Sequence, residues 1–246
     1  MRYYLLPFLV FLFLSCKKNK DEGPKCRFKT ISHRSGNVHH VTYRGDTLMI
    51  MGEYTVGGNF YFSTADRLQR IESPATNPYI LTELVYNNNG KIVEAKTYFA
   101  GTNTWVYQGK AVFTYTNNKL TNRREESTTY PSGPFYNTDL VWEEDNIRTI
   151  ITRIGTDTIC VKVISYDMSK TNPMTRYDYL YFGDGDADYG GYKLPYYFSK
   201  NLMTNVESKC GVADTRIYTY TFNGNGLIEK VLDNGDMLWT YEYDCK

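Results

Sequence analysis

The chain has 246 residues, which is enough for one large all-β domain, and 24 of these residues are tyrosine. Aromatic residues make up 16% of the chain, which favours strands because aromatic side chains pack well on a pleated sheet. The formal net charge is only +1, so the composition argues against a nucleic-acid-binding protein, which would normally carry a basic face or stripe.

The first 15 residues predict a signal peptide. They read "MRYYLLPFLVFLFLS", with one basic residue, Arg2, and an apolar run that ends just before Ser15. This run has the length of a signal-peptide core and is too short to span a bilayer comfortably. A secretory signal without lipidation and a single transmembrane anchor are the alternatives.

Cys16 follows directly after the small residue Ser15, and this arrangement resembles the lipobox of bacterial lipoproteins. Phe13 stands where that family usually has leucine. The resemblance implies that Cys16 becomes the acylated first residue and that the protein is exported. We expect anchoring to the outer membrane through this lipid, on the periplasmic or the cell-surface side. The polar residues 16–25 then form a flexible tether, and residues 26–246 form one all-β domain.

Four cysteines remain beyond Cys16, and an even number in an exported chain predicts two disulfides. Three pairings are possible, and the sequence does not choose among them. Zinc binding is the competing interpretation, but no two of these cysteines are spaced as CxxC. The four candidates are Cys26, Cys160, Cys210 and Cys245.

A short pattern recurs along the chain: an aromatic residue, a polar turn, and an aliphatic residue that begins a returning segment. In "VYNNNGKIVEA" and "TFNGNGLIEKV" the aliphatic residues follow the aromatic one at offsets of six and nine. Asn and Gly tolerate the positive φ angles that tight hairpin turns require, so each unit predicts a β-hairpin. The units begin at Phe62, Tyr86, Tyr115, Trp142 and Phe222.

Successive hairpins predict a single large antiparallel meander that curves into an open or half-closed barrel. Two stretches interrupt the pattern, 127–137 with its two prolines and 182–206. The second stretch contains at most one short helix, near 196–206. We expect the larger aromatic residues to crowd the concave face, which is partly filled by 182–206 and is where any ligand would bind.

The C-terminal stretch "YTYTFNGNGLIEKVLDNGDMLWTYEYD" resembles the YD-type repeats of large bacterial cell-surface proteins. Together with the lipobox, the tandem hairpins resemble uncharacterised Bacteroidota lipoproteins described as having a porin-like, curved antiparallel sheet. This resemblance implies the same architecture. That family has no established activity, so the resemblance implies none for this chain.

Two further residue groups have side chains that could bind a metal ion. Asp184, Asp186 and Asp188 alternate as in many calcium loops, but Tyr189 and Pro195 replace the glycine and glutamate that an EF-hand needs, so an acidic solvated turn is favoured. A metal trio of the three histidines is disfavoured, because adjacent strand residues face opposite sides. We predict no metal and no cofactor. The histidines are His33, His39 and His40.

Two functional hypotheses follow. The first is a non-catalytic envelope lipoprotein that offers a binding or scaffold surface to a protein or another envelope component. The second is a glycan or small-ligand binder that uses Trp105, Trp142 or Trp239 as a stacking platform, since an aromatic face suits the apolar side of a sugar ring. A glycoside hydrolase is less favoured, because only surface carboxylates such as Glu125 and Glu143 are available and no catalytic motif is present.

Overall fold

The structure is a computed structural model. It describes residues 26–34, 38–44, 47–52, 59–62, 67–73, 79–128, 136–177 and 197–245. The predicted signal peptide, Cys16, the tether, the acidic run 184–188 and both prolines of 127–137 lie outside these residues.

The described residues form sixteen strands and one 3₁₀ turn. The strands are β1 (Cys26–His33), β2 (Val38–Arg44), β3 (Thr47–Gly52), β4 (Asn59–Phe62), β5 (Leu68–Ser73), β6 (Ile80–Tyr86), β7 (Ile92–Ala100), β8 (Trp105–Thr116), β9 (Lys119–Ser127), β10 (Tyr136–Glu143), β11 (Asn146–Ile154), β12 (Asp157–Thr171), β13 (Asn201–Cys210), β14 (Val212–Phe222), β15 (Ile228–Asp233) and β16 (Asp236–Cys245). The 3₁₀ turn, η1, covers Pro173–Tyr177.

Every strand pairs antiparallel with the strands before and after it, which confirms the prediction of a single all-β antiparallel meander. The curvature goes further than the expected open or half-closed barrel. β1 pairs with β2 on one side and with β16 on the other, from Cys26 opposite Cys245 to His33 opposite Trp239. The sheet therefore closes into a barrel, because this pairing gives its first and last strands a partner each.

The repeated hairpin pattern is confirmed in the strand register. Each aromatic residue that opens a unit lies opposite the aliphatic residue predicted to begin the returning strand, and each sits at a register shift. The pairs are Phe62 with Leu68, Tyr86 with Ile92, Tyr115 with Leu120, Trp142 with Ile147 and Phe222 with Ile228.

Two of the turns are built identically. The Asn87 side chain accepts hydrogen bonds from the backbone N–H groups of residues 89 and 91, both at 3.0 Å. The Asn223 side chain accepts the equivalent bonds from residues 225 and 227, at 3.0 and 3.1 Å. Gly90 and Gly226 supply the positive φ angles, +74° and +72°. The sequence similarity of "NNNG" and "NGNG" therefore reflects one shared turn conformation.

One face of the sheet is buried in a single cluster of apolar side chains, and this face must be the inside because the sheet is closed. The aliphatic residues that follow each opening aromatic residue at offsets of five or six, and of eight or nine, supply much of the cluster. Leu68, Ile71, Leu120, Ile147, Ile150, Ile228 and Val231 are each at most 2% exposed. The repeat is therefore a core-forming pattern.

The stretch near 196–206 differs from the expectation of a short helix. Among the described residues of this stretch, 197 and 198 are helical, and Asn201–Cys210 form β13. Their buried positions include Leu202, Val206 and Ser208, and β13 pairs with both β12 and β14. Two sheet partners satisfy the backbone of this segment, which outweighs any local helix preference.

Both predicted disulfides are present, and the structure supplies the pairing. Cys26 is bonded to Cys245 and Cys160 to Cys210. The first bridge joins β1 to β16 across the closing pair of strands. The second joins β12 to β13. Each bridge therefore links two neighbouring strands of the barrel wall.

The barrel has two distinct ends. The end where β1 begins and β16 finishes also carries the turns 87–91, 117–118, 144–145 and 223–227, and we call it the tether end. The opposite end carries the turns 101–104, 155–156, 211 and 234–235, and we call it the far end. The bridge Cys26–Cys245 lies at the tether end and Cys160–Cys210 at the far end.

Candidate functional site

The inside of the barrel is held together by a repeated hydrogen bond. In each case an aromatic side chain donates to the backbone carbonyl of a residue 15 to 22 positions earlier, at 2.5–2.9 Å. These bonds give the polar tip of each buried ring a partner, which such groups require when removed from water. The pairs are Tyr86 with Leu68, Trp142 with Leu120, Tyr166 with Ile147, Tyr220 with Met203 and Tyr243 with Ile228.

Tyr166 shows how closed this interior is. Its hydroxyl donates to the carbonyl of Ile147 at 2.6 Å and lies 2.9 Å from the hydroxyl of Ser199, which is itself fully buried. Burial raises the pKa of Tyr166 far above its ordinary value. Burial also raises the pKa of Tyr220. These phenols are structural groups of a dry core.

Trp142 is part of the same framework. Its indole N–H donates to the carbonyl of Leu120 at 2.6 Å, and the ring packs against the core cluster. The Lys119 ammonium lies 5.4 Å from the ring centroid, within the range of a cation–π contact. The structure therefore gives Trp142 a packing role at the tether end.

Polar residues also fill part of the inside toward the far end. Thr138, Thr152, Lys162 and Ser208 belong to four consecutive strands, β10 to β13, and all are at most 4% exposed. The hydroxyls of Thr138 and Thr152 lie 3.5 Å apart. The concave face is therefore occupied by its own side chains at this level, where the sequence predicted a ligand surface.

Trp239 lies on β16 toward the far end. Its ring centroid is 4.5 Å from that of His33 and 6.4 Å from that of Tyr241, which is buried. Trp239 also packs against the core cluster. Nearby, Asp233 ends β15 just before the turn 234–235; it is buried and lies 3.6 Å from the guanidinium groups of both Arg34 and Arg216.

Trp105 stands apart from the other two tryptophans. It opens β8 at the far end and lies opposite Ala100 of β7. Tyr107 lies opposite Tyr98 on the same face of this hairpin, with ring centroids 5.5 Å apart and an edge-to-face geometry. Tyr98 shares its strand face with Lys96, whereas the buried Ala95 points inward, so the three aromatic residues are on the outside of the barrel.

A row of charged residues borders these three aromatic side chains on the outer face. Register places Glu83, Lys96, Lys110 and Glu126 side by side on β6, β7, β8 and β9. The Lys110 ammonium lies 2.5 Å from Glu94 and 3.9 Å from Glu126. We call the set Tyr98, Trp105, Tyr107, Glu83, Glu94, Lys96, Lys110 and Glu126 the outer aromatic face.

Neighbouring side chains of the outer aromatic face shift one another's pKa values. A hydrogen bond from Lys110 lowers the pKa of Glu94, and the same contact raises the pKa of Lys110. Burial and a hydrogen bond to Glu83 raise the pKa of Tyr98. At neutral pH the row therefore carries paired charges beside neutral phenols, so it offers hydrogen-bond donors and acceptors with almost no net charge.

The three tryptophans predicted as candidate ligand platforms thus lie in three places. Trp142 is at the tether end, while Trp105 and Trp239 are at the far end on strands on opposite sides of the closed sheet, β8 and β16. Sequence reasoning missed Tyr98 and Tyr107 as neighbours of Trp105. The alternation in "KTYFAGTNTWVYQGK" was the available signal, but it gave no indication of which face lies outside.

The remaining residue groups do not form a reactive centre within the described ranges. Among these residues, no three histidine, cysteine, aspartate or glutamate side chains could hold a metal ion. Glu125 pairs with Arg123 at 2.7 Å, and Asp145 pairs with Lys119 at 3.3 Å. The first of these ion pairs lies within β9, and the second joins the start of β9 to the turn after β10.

Two solved structures are similar to this chain. A porin-like protein from Bacteroides uniformis matches over 89% of this chain and 98% of its own, with 15% identity and a TM-score of 0.41. A porin-like protein from Bacteroides vulgatus matches over 88% and 98%, with 10% identity and a TM-score of 0.36. No family model and no curated protein sequence matches. No helix among the described residues is long and apolar enough to cross a membrane.

Proposed function

We propose that this chain is a non-catalytic binding or scaffold module of the bacterial cell envelope, anchored to the outer membrane through a lipid on Cys16. The N-terminal sequence carries this proposal. An apolar run of signal-peptide length ends at Ser15, and Cys16 follows at the position that lipoprotein processing modifies. Residues 1–15 would be removed, and residues 16–25 would connect the lipid to the barrel.

The position of β1 fits such an anchor. β1 begins at Cys26, so the tether of residues 16–25 joins the barrel at the tether end. Ten extended residues reach at most roughly 35 Å, which keeps that end near the membrane surface. The far end, with Trp105 and the turn 101–104, would then point away from the lipid.

The outer face of the barrel supports a tethered domain in water. Charged side chains pair across neighbouring outward-facing positions, as in Lys110 with Glu94 and Arg153 with Asp139. Paired charges of this kind are well hydrated, whereas the outer surface of a barrel that sits in the hydrocarbon core of a bilayer carries an apolar band. The lipid would therefore supply the membrane attachment.

The packed interior supports a module that works through its outside. Ile147, Ile150, Lys162 and Ile164 have no exposed surface, and aromatic rings fill the space around them. A solute would have to displace well-packed side chains to enter at this level, which is costly in a close-packed core. Binding through outer surfaces and loops requires no such rearrangement.

Substitution of the lipidation site tests the anchor. The Cys16→Ser variant should incorporate no radiolabelled palmitate and should leave the membrane fraction. The matched Ser15→Ala variant keeps a small residue before the cysteine and should be lipidated normally. Protease treatment of intact cells then separates the cell-surface from the periplasmic side. Continued palmitate labelling and membrane association of Cys16→Ser would rule out the anchor.

A further inference from the structure

The geometry points to a binding site for a neutral oligosaccharide on the outer aromatic face, at the far end of β7 and β8. This inference rests on the proposed function, since it names the ligand class of a binding module whose interior is filled. It places the ligand outside the barrel, on residues that the sequence did not bring together.

Three aromatic side chains supply the stacking surface. Trp105 and Tyr107 are two residues apart on β8 and share a face, and Tyr98 lies opposite Tyr107. Tyr107 is 38% exposed although it is a large aromatic residue. The C–H faces of a sugar ring pack against exposed aromatic rings because those rings combine an apolar surface with a polar edge.

The bordering charged row supplies groups for sugar hydroxyls. Lys96 and Lys110 keep 37% and 26% of their side chains exposed, and Glu94 and Glu126 keep 25% and 33%. Carboxylates accept and ammonium groups donate hydrogen bonds, so adjacent members of the row can bind both partners that a hydroxyl offers. These side chains are already held in place by their mutual ion pairs, which lowers the entropy lost on binding.

The charge balance of the row selects a neutral ligand. Lys96 and Lys110 are surrounded by Glu83, Glu94 and Glu126, and Lys110 contacts two of these carboxylates. The two positive charges are therefore more than compensated, which disfavours a sulfated or uronic-acid glycan.

The length of the face indicates more than one sugar unit. Trp105 and Lys110 bound the face along β8 and lie opposite Ala100 and Lys96 of β7, four residue steps that cover roughly 13 Å. The aromatic residues lie at the tip of a hairpin whose turn, 101–104, is exposed on the far end. An extended chain can therefore lie along β8 without meeting the tether end.

A protein partner fits this face less well. The core of a protein interface is depleted in charged residues, whereas here a charged row runs directly beside the aromatic rings. Association of two copies through these rings is the strongest competing outcome. It would be visible as a dimer in solution.

Binding is measured on the full chain, purified in a detergent without a sugar headgroup. The neutral probes are maltohexaose, cellohexaose and mannohexaose, and the acidic probes are hexagalacturonate and a heparin hexasaccharide. At least one neutral probe should bind and both acidic probes should not. Trp105→Ala and Tyr107→Ala should each weaken the affinity about tenfold, because each removes one stacking ring. Trp105→Phe should restore part of the loss.

Phe99→Ala is the matched control, because Phe99 is on the same hairpin, 46% exposed, and on the opposite face from Tyr98. It should leave the affinity unchanged. The inference is overturned if no neutral probe binds, if an acidic probe binds better, or if Phe99→Ala weakens binding as much as Trp105→Ala. A dimer that Trp105→Ala dissociates would overturn it too. Palmitate labelling at Cys16 is independent of these measurements, so the anchor can hold while the glycan site fails.

Discussion

The disulfide across the closing strands allows a quantitative prediction. Cys26 and Cys245 are separated by 219 residues, whereas Cys160 and Cys210 are separated by 50. In the chain-entropy model, closing the longer loop stabilises the folded state by about 5 kcal/mol and closing the shorter one by about 4 kcal/mol. The larger effect arises because the free ends of a longer chain explore more volume when the protein is unfolded.

The perturbation is the double variant Cys26→Ser with Cys245→Ser, compared with Cys160→Ala with Cys210→Ala. For a domain of this size about 1 kcal/mol corresponds to roughly 2–4 °C, so the first variant should melt about 10–20 °C below the native chain. The second variant should melt about 8–16 °C below it. Both values come from calorimetry, with urea unfolding as the independent measure.

The position of the bridge adds a second expected effect. β1 and β16 pair over seven positions, and loss of the bridge leaves only these contacts to close the barrel. Amide hydrogen exchange in β1 and β16 should therefore accelerate more than in β12 and β13 when Cys26–Cys245 is removed. A variant without this bridge that melts within about 2 °C of the native chain would refute the loop-entropy reasoning. Equal exchange in both strand pairs would refute the role of the bridge in closing the sheet.

Three further results are expected. Tyr166→Phe should lower the free energy of unfolding by about 1–3 kcal/mol, because the substitution leaves buried hydrogen-bond partners unsatisfied. The control Tyr107→Phe, at an exposed position, should change the free energy of unfolding by less than about 0.5 kcal/mol. The pKa of Tyr166 is raised in the folded state, so the unfolded chain loses the phenol proton first as pH rises. The free energy of unfolding should therefore fall above about pH 10. Tyr166→Phe should flatten this fall when urea unfolding is measured as a function of pH. Gly109→Ala should destabilise the protein by about 3 kcal/mol in urea unfolding, because the added Cβ would lie 2.1 Å from the carbonyl oxygen of Glu126. Gly155→Ala should cost about 1 kcal/mol from its positive φ alone, because nothing lies within 4 Å of the added Cβ. Similar losses for both variants would contradict the steric explanation.

The outer aromatic face illustrates what sequence alone could not supply. Trp105 and Tyr107 stand at alternate positions at the start of β8. Which face of that strand is solvent-exposed depends on the register shift between residues 97 and 98, which places Tyr107 opposite Tyr98. Such a shift changes the face on which every following residue lies. Trp142 lies near the end of its strand and packs against the core cluster, whereas Trp105 opens its strand on the outer face.

Phe222, within the repeat, also has an exposure that the local sequence pattern did not predict. Its pairing with Ile228 agrees with the predicted offset of six. A register shift lies immediately before it, and it is 36% exposed while Ile228 is fully buried. Local alternation therefore predicted the partner of Phe222 and not its environment.

The sequence by itself determined the hairpins, their turns and the aliphatic core positions. These features are local: an Asn-Gly turn brings residues a few positions apart into register, and Leu120 and Ile147 are buried wherever their hairpins pack. Closure of the sheet and the pairing of Cys26 with Cys245 were decided only by the tertiary structure. Both join residues more than 200 positions apart, and their proximity depends on the twist summed over sixteen strands, which no short stretch of sequence encodes.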